Sequence, residues 1–301
     1  MAQSPVRLGA DFKEKIWGSS KLEPWYSSDG RLIGEVWFTH SQPLPLLVKF
    51  IFTEENLSVQ VHPDDSYASV HEQSRGKTEM WHILRAAPGA RVAMGFREEI
   101  SRERLREAAV TGEIMELLNW VDAHPGDTFF IPAGTVHAIG AGLALCEVQQ
   151  QSDVTYRLYD YGRGRELHLD KGVAVAHTGG HPGYARRAAL PNGSELLAEC
   201  EYFRTELRVF ADPIEHCPNG RAPEMLVFLW GAGSIADQPF RLGEAWLIPA
   251  QGPVTLEPAG EVAMLRTFVP PGLSACGESG RSGNSGTGDE FLRRAKRGQT
   301  Y

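Results

Sequence analysis

From residue 33 onward the chain is written in short apolar runs separated by Gly, Pro, Asn and Asp. The segments IGEVWFTH, LLVKFIF, LSVQVH, EMWHILRA and ARVAMGF predict strands, because β-branched and aromatic residues recur in them at a period near two. The period changes over residues 97–120. There Ile100, Leu105 and Ala108, then Ile114, Leu117 and Leu118, sit at helical spacing among charges, which predicts one or two helices. Strand patterning returns in DTFFIPA, LALCEVQQ and VTYRLYD. After a loop-rich link at 178–200 it resumes in TELRVF, EMLVFLW, SIAD, EAWLIPA, VTLEP and EVAMLRTFV. Residues 1–30 read as an irregular lead-in around Trp17 and Trp25. The Gly/Ser-rich stretch 271–301 reads as a flexible tail.

The two strand sets resemble each other. GDTFFIPAG starts at Gly126 and GEAWLIPAQ at Gly243; EMWHIL starts at Glu79 and EMLVFL at Glu224. The two spacings differ by about the length of the helical segment. Two related β-barrels account for this, the first interrupted by helices between two of its strands. The expected division is a first barrel over 1–177, a second over 178–270 and the tail.

Composition narrows the function. The formal charge is −8 over 301 residues, without the clustered positive charge that a nucleic acid or an anionic membrane requires. No run approaches the roughly 20 apolar residues of a membrane span, and MAQSPVRLGADFKEKIWG lacks the apolar core of a signal peptide. A cytoplasmic chain, monomeric or weakly dimeric, is expected. Cys146, Cys200, Cys217 and Cys276 are scattered without a CxxC pair, so neither a cysteine–zinc site nor a disulfide framework is expected.

Four residues suggest a metal. Gln60 and His62 are two apart on a predicted strand and share a face, while Val59 and Val61 turn the other way. Glu79 shares a face with Trp81 and Ile83, and His137 follows the IPAGTV turn. An amide oxygen, a carboxylate and two imidazoles, with a position left for water or substrate, make the donor set of a catalytic zinc site, although iron or manganese suits it too. A histidine standing alone on a strand is more often a packed or hydrogen-bonded residue, so His71, His82, His124, His168 and His177 are set aside. The second repeat has Val254 where His137 would fall and no Q-x-H before Glu224. The second barrel is therefore expected to lack a metal, and Glu224 not to be a ligand.

At these residues the chain resembles the type I phosphomannose isomerases, particularly their short bacterial form. The resemblance is carried by FKEKIWG, NLSVQVHPDD, KTEMWHIL, GDTFFIPAGTVHAIG and CEVQQQSDVTYRLYDYGR. It implies a zinc enzyme of the cupin superfamily: mainly β, two jelly-roll barrels with a small helical insertion in the first, one Zn²⁺ per chain, and interconversion of mannose 6-phosphate and fructose 6-phosphate. The family's ligands fall on Gln60, His62, Glu79 and His137. Its active-site lysines and serine fall on Lys49, Lys77 and Ser58, and its later acidic and basic residues on Glu147, Asp153 and Arg157. One departure is visible: where longer members have a histidine before the Lys-x-Glu triplet, this chain has Gly76.

Moving a proton between C1 and C2 needs a stabilised oxyanion and a proton carrier with a pKa near the working pH. Lys49 or Lys77 suits the second task if its pKa is lowered, and Glu147 if its pKa is raised. Lys49 interrupts the apolar run LLVKFIF, which is costly unless it faces a polar cavity. Arg157 is the expected anion clamp, ahead of Arg163. Asp153 either orients Arg157 or caps a turn. Two other readings compete: an iron dioxygenase with a two-His-one-carboxylate site, which Gln60 as a fourth ligand disfavours, and a non-catalytic sugar-phosphate-binding module, which the lysines and Glu147 beside the ligands disfavour.

Overall fold

A computed structural model describes residues 4–180 and 187–271, so all but the first residue of the expected tail lies outside the described residues. The chain is mainly β. A six-stranded sheet runs in the order Gly9–Ser19, Ile33–Thr39, Leu46–Phe52, Leu143–Gln150, Glu79–Ala86, Thr128–Ile131. It faces a five-stranded sheet in the order Tyr156–Tyr159, Val59–Val61, His137–Ile139, Arg91–Phe96, Leu118–Asp122. The later repeat builds a second such pair of seven and four strands, and Val6–Arg7 crosses over to pair with Ala245–Ile248 in its larger sheet.

Side-chain parity explains why the strands read as they do. In Leu46–Phe52, Leu46, Val48, Phe50 and Phe52 join a core shared with Leu197, Phe203, Met225, Val227 and Leu265 of the second repeat. The alternate positions, Leu47, Lys49 and Ile51, turn to the interior of the first barrel. With both faces covered, every residue of the strand is buried, hence the near-continuous apolar run. Leu143–Gln150 follows the same rule: Ala144, Cys146 and Val148 face the shared core, while Leu143 and Leu145 lie in the barrel's own core. On the opposite sheet, Val59, Val61, Val136 and Ala138 pack outward, in one cluster with Leu105, Ala108 and Ala109 of the Arg102–Thr111 helix and Ile114 of the Ile114–Leu117 helix.

The two helices at 97–120 thus occur as expected. The lead-in does not: Gly9–Ser19 is an eleven-residue strand at the sheet's edge. Its first eight residues are exposed or half-buried, so they carry no strong apolar alternation. Two short helices, Asp65–His71 and Leu169–Val175, stand where no helix was expected. The first is signalled only by Asp64, whose carboxylate caps it by accepting from Tyr67 N at 2.8 Å. The link at 178–200 contains the strand Glu195–Glu199. Among the described residues no helix is long and apolar enough to cross a membrane.

Candidate metal centre and cleft

The parity that buries Val59 and Val61 outward turns Gln60 and His62 inward, and His137 is brought opposite Gln60 by antiparallel pairing. Glu79 arrives from the facing sheet. His62 Nδ1 lies 2.9 Å from the Val154 carbonyl and His137 Nδ1 2.8 Å from the Thr135 carbonyl. A carbonyl only accepts, so each Nδ1 carries the proton and each Nε2 presents its lone pair to the interior. Those Nε2 atoms lie 3.5 Å from Glu79 Oε2 and Oε1 respectively. The three ligand atoms fall within 4.8 Å of one another, and all three residues are buried. Trp81 Nε1 donates to Glu79 Oε1 at 3.1 Å and to Glu147 Oε2 at 3.0 Å, fixing both carboxylates. Two imidazoles oriented by backbone carbonyls, a tethered carboxylate and the amide of Gln60 alongside fit a borderline divalent cation. Lys77 Nζ already reaches these acceptors, 2.8 Å from Glu79 Oε2 and 3.1 Å from His62 Nε2.

Above this set opens a cleft of about 270 Å³. Ser58, Gln60, Lys49, Lys77, Glu147, Asp153 and Arg157 all line it, so the residues selected from sequence converge on one place. Lys15, Trp17, Glu35, Thr155 and Arg165 line it too, and none of these was expected there. Glu35 had no signal beyond an ordinary polar position in a strand.

Lys49 is nearly inaccessible. Burial alone would push its pKa down, but Glu147 at 2.9 Å and Glu35 at 3.5 Å outweigh it, and Lys49 is held above the ordinary lysine range. Glu35 is likewise opposed by burial, yet Lys49 and Lys15 bring it down to about 2. Trp37 Nε1 donates to it at 3.2 Å. Arg157 Nη1 donates to the Glu166 carbonyl at 2.8 Å, and its backbone N–H to His168 Nδ1 at 3.1 Å. Asp153 is exposed. Arg163 points to Glu55 Oε2 at 2.7 Å and the Asn56 carbonyl at 2.8 Å.

Gly76 has a packing reason. A Cβ there would lie 2.5 Å from the Asp64 carbonyl carbon and the Asp65 nitrogen, where the Asp65–His71 helix begins. No side chain fits at that position.

In the second barrel the matching register is preserved. Glu79 pairs with Ile131 and Glu224 with Ile248, while Val254 pairs with His216. Glu224 accepts from Arg266 Nε and Nη2, both at 2.7 Å. It also lies 3.1 Å from His216 Nε2.

No protein-family model matches the chain. The mannose-6-phosphate isomerase ManA of Bacillus subtilis is 35% identical, over 67% of this chain and 78% of that protein. The mannose-6-phosphate isomerase of Streptococcus mutans is 34% identical, over 62% and 72%. Among solved structures, the mannose 6-phosphate isomerase of Bacillus subtilis superposes with a TM-score of 0.80 at 28% identity, covering 89% of this chain and 100% of that one. A variant of the phosphomannose isomerase of Salmonella typhimurium gives 0.69 at 16% identity, covering 87% and 99%, a likeness of fold alone.

Proposed function

The chain belongs to the mannose-6-phosphate isomerase family, and on that premise we propose that its cleft interconverts mannose 6-phosphate and fructose 6-phosphate by proton transfer between C1 and C2 through an enediol. The observation that carries this is the convergence of His62, Glu79 and His137 next to a cleft lined by Lys49, Lys77 and Glu147, with Lys77 reaching from the cleft to Glu79 and His62. We assign Gln60, His62, Glu79 and His137 as the ligands of one Zn²⁺, which when bound supplies Lewis acidity toward sugar oxygens.

The chain's own groups divide the remaining work. Lys49, fixed as an ammonium between Glu147 and Glu35, stabilises negative charge on the substrate. It is a poor proton acceptor. The proton then passes by way of Lys77 or Glu147, which approach each other to 3.8 Å. Arg157 offers its fork to the phosphate and Ser58 a hydroxyl to the sugar. Ring opening falls to a group other than residue 76.

Metal analysis of the purified chain should give about one zinc per chain. A coupled assay should show fructose 6-phosphate forming from mannose 6-phosphate, stopping with EDTA and returning with zinc. Zinc-loaded protein that turns over no mannose 6-phosphate would overturn the reading.

A further inference from the structure

Resting on that reading of the cleft, we propose that Arg165 is a second guanidinium for the substrate phosphate, held in position by Asp160, so that Arg157 and Arg165 together form the phosphate subsite.

The segment after Tyr156–Tyr159 is built to return Arg165 to the cleft. Tyr161, Gly162 and Gly164 all have left-handed backbone, with φ of 54°, 74° and 76°. Glycine at two of these positions makes that curl inexpensive, and Arg163 N closes the turn on the Asp160 carbonyl at 3.0 Å. Asp160 is 3% exposed, and its carboxylate accepts from Arg165 Nε at 2.7 Å and from Nη2. A fork held by a buried carboxylate is fixed in plane and orientation. It engages two of the five N–H donors of a guanidinium and aims the rest. Arg165 keeps a side-chain exposure of 29% and lines the cleft beside Arg157.

Two guanidinium groups in one cleft suit an anion with several acceptor oxygens. Lys15, Lys49, Lys77, Arg157 and Arg165 line the cleft with Glu35, Glu147 and Asp153, while Glu79 and Asp160, outside the lining, pair with Lys77 and Arg165. Arg157 is held below the ordinary guanidinium range, first by burial and then by the charge of Arg165. Asp160 and Glu166 offset part of that repulsion, and a phosphate ester, carrying about −1.5 to −2 at neutral pH, accepts from the donors that remain on both groups. Arg163, although nearer in sequence to Arg157, is committed instead to Glu55 and Asn56.

The test compares Arg165→Gln, Arg165→Lys and Asp160→Asn with the zinc-loaded parent. Arg165→Gln should raise both KM for mannose 6-phosphate and the inhibition constant of inorganic phosphate about ten- to a hundred-fold, the range expected for a charge-assisted pair. The loss should fall on KM more than on kcat. Arg165→Lys restores part of it as a charge without a fork, and Asp160→Asn gives a smaller loss in the same direction. Zinc stoichiometry stays at the parent's value, and the thermal midpoint falls in Arg165→Gln because Asp160 is left buried without its partner; kinetics read well below that midpoint, with zinc retained, separate the phosphate effect from the loss of stability. A phosphate inhibition constant within twofold of the parent in Arg165→Gln overturns the proposal, and so does loss of zinc together with phosphate. If the parent turns over no mannose 6-phosphate, the functional reading fails. Calorimetric titration of inorganic phosphate into parent and Arg165→Gln then still decides the subsite, equal affinities overturning it.

Discussion

At the scale of single residues, the charged groups were legible wherever they broke a pattern. Lys49 interrupts an apolar strand, and Gln60 and His62 repeat at a strand's period, so their common face followed from spacing alone. Glu35 and Arg165 break nothing. One is an ordinary polar position in GEVWFT and the other lies in a turn rich in arginine, so only the fold brings them to the cleft. The ion pairs around Lys49 make its removal costly in a way separable from catalysis. Lys49→Met leaves Glu147 and Glu35 buried near a missing partner, and loss of one member of a buried pair costs about 3 kcal/mol or more. Urea unfolding should show that loss, and the double variant Lys49→Met/Glu35→Gln should recover part of it. A change below about 1 kcal/mol in Lys49→Met would mean that the cluster is better solvated than its burial implies.

At the scale of elements, strand identity and repeat were readable because both barrels keep the same pairing. Trp81 pairs with Glu147, and Glu147 with Lys49; at matching positions Leu226 pairs with Arg266, and Arg266 with Glu206. The charged pair persists with its signs exchanged. Glu224, which aligns with Glu79, is thereby bound by a guanidinium belonging to its own sheet. The sequence repeat marks the alignment of Glu224, but the Arg266 contact spans distant strands and could not be read from it. Elements with weak signals were missed for local reasons: an edge strand need not alternate, and seven-residue helices contain too few turns to show a period. The Arg266 contact has a pH signature. Burial opposes the charge of Glu224, but hydrogen bonds from His216 and Arg266 hold its pKa at about 2, against 4.5 for an ordinary glutamate. Because the folded value is depressed, the stabilisation is present above about pH 4.5 and is lost as pH falls toward 2. Glu224→Gln should be less stable than the parent at pH 7, and its urea midpoint should fall less between pH 5 and pH 2.5. Parallel pH profiles for the two proteins would contradict the assignment.

At the scale of the molecule, the two barrels are joined by more than a link. Phe38, Phe50, Val48 and Met80 of the first repeat and Phe203, Leu207, Met225 and Leu265 of the second belong to one buried cluster. Trp25 of the lead-in adds a hydrogen bond to the Leu229 carbonyl at 2.8 Å. This shared core accounts for the rows of aromatic residues on the strand faces turned away from the cleft. It also places the back of the strands bearing Lys49, Glu79 and Glu147 against the second repeat, so that the second barrel supports the cleft. Residues 1–177 alone would expose that aromatic face and should fail to fold stably. A gentler test is Phe203→Ala, which empties a fully buried site that meets Phe130 edge-on at 6.2 Å. The expected cost is about 3–5 kcal/mol. If the core is one cooperative unit, far-ultraviolet circular dichroism, tryptophan fluorescence and release of added divalent metal should shift together to a single lower midpoint. A split transition, with the second barrel melting while the added metal stays bound, would show that the cleft stands without its support.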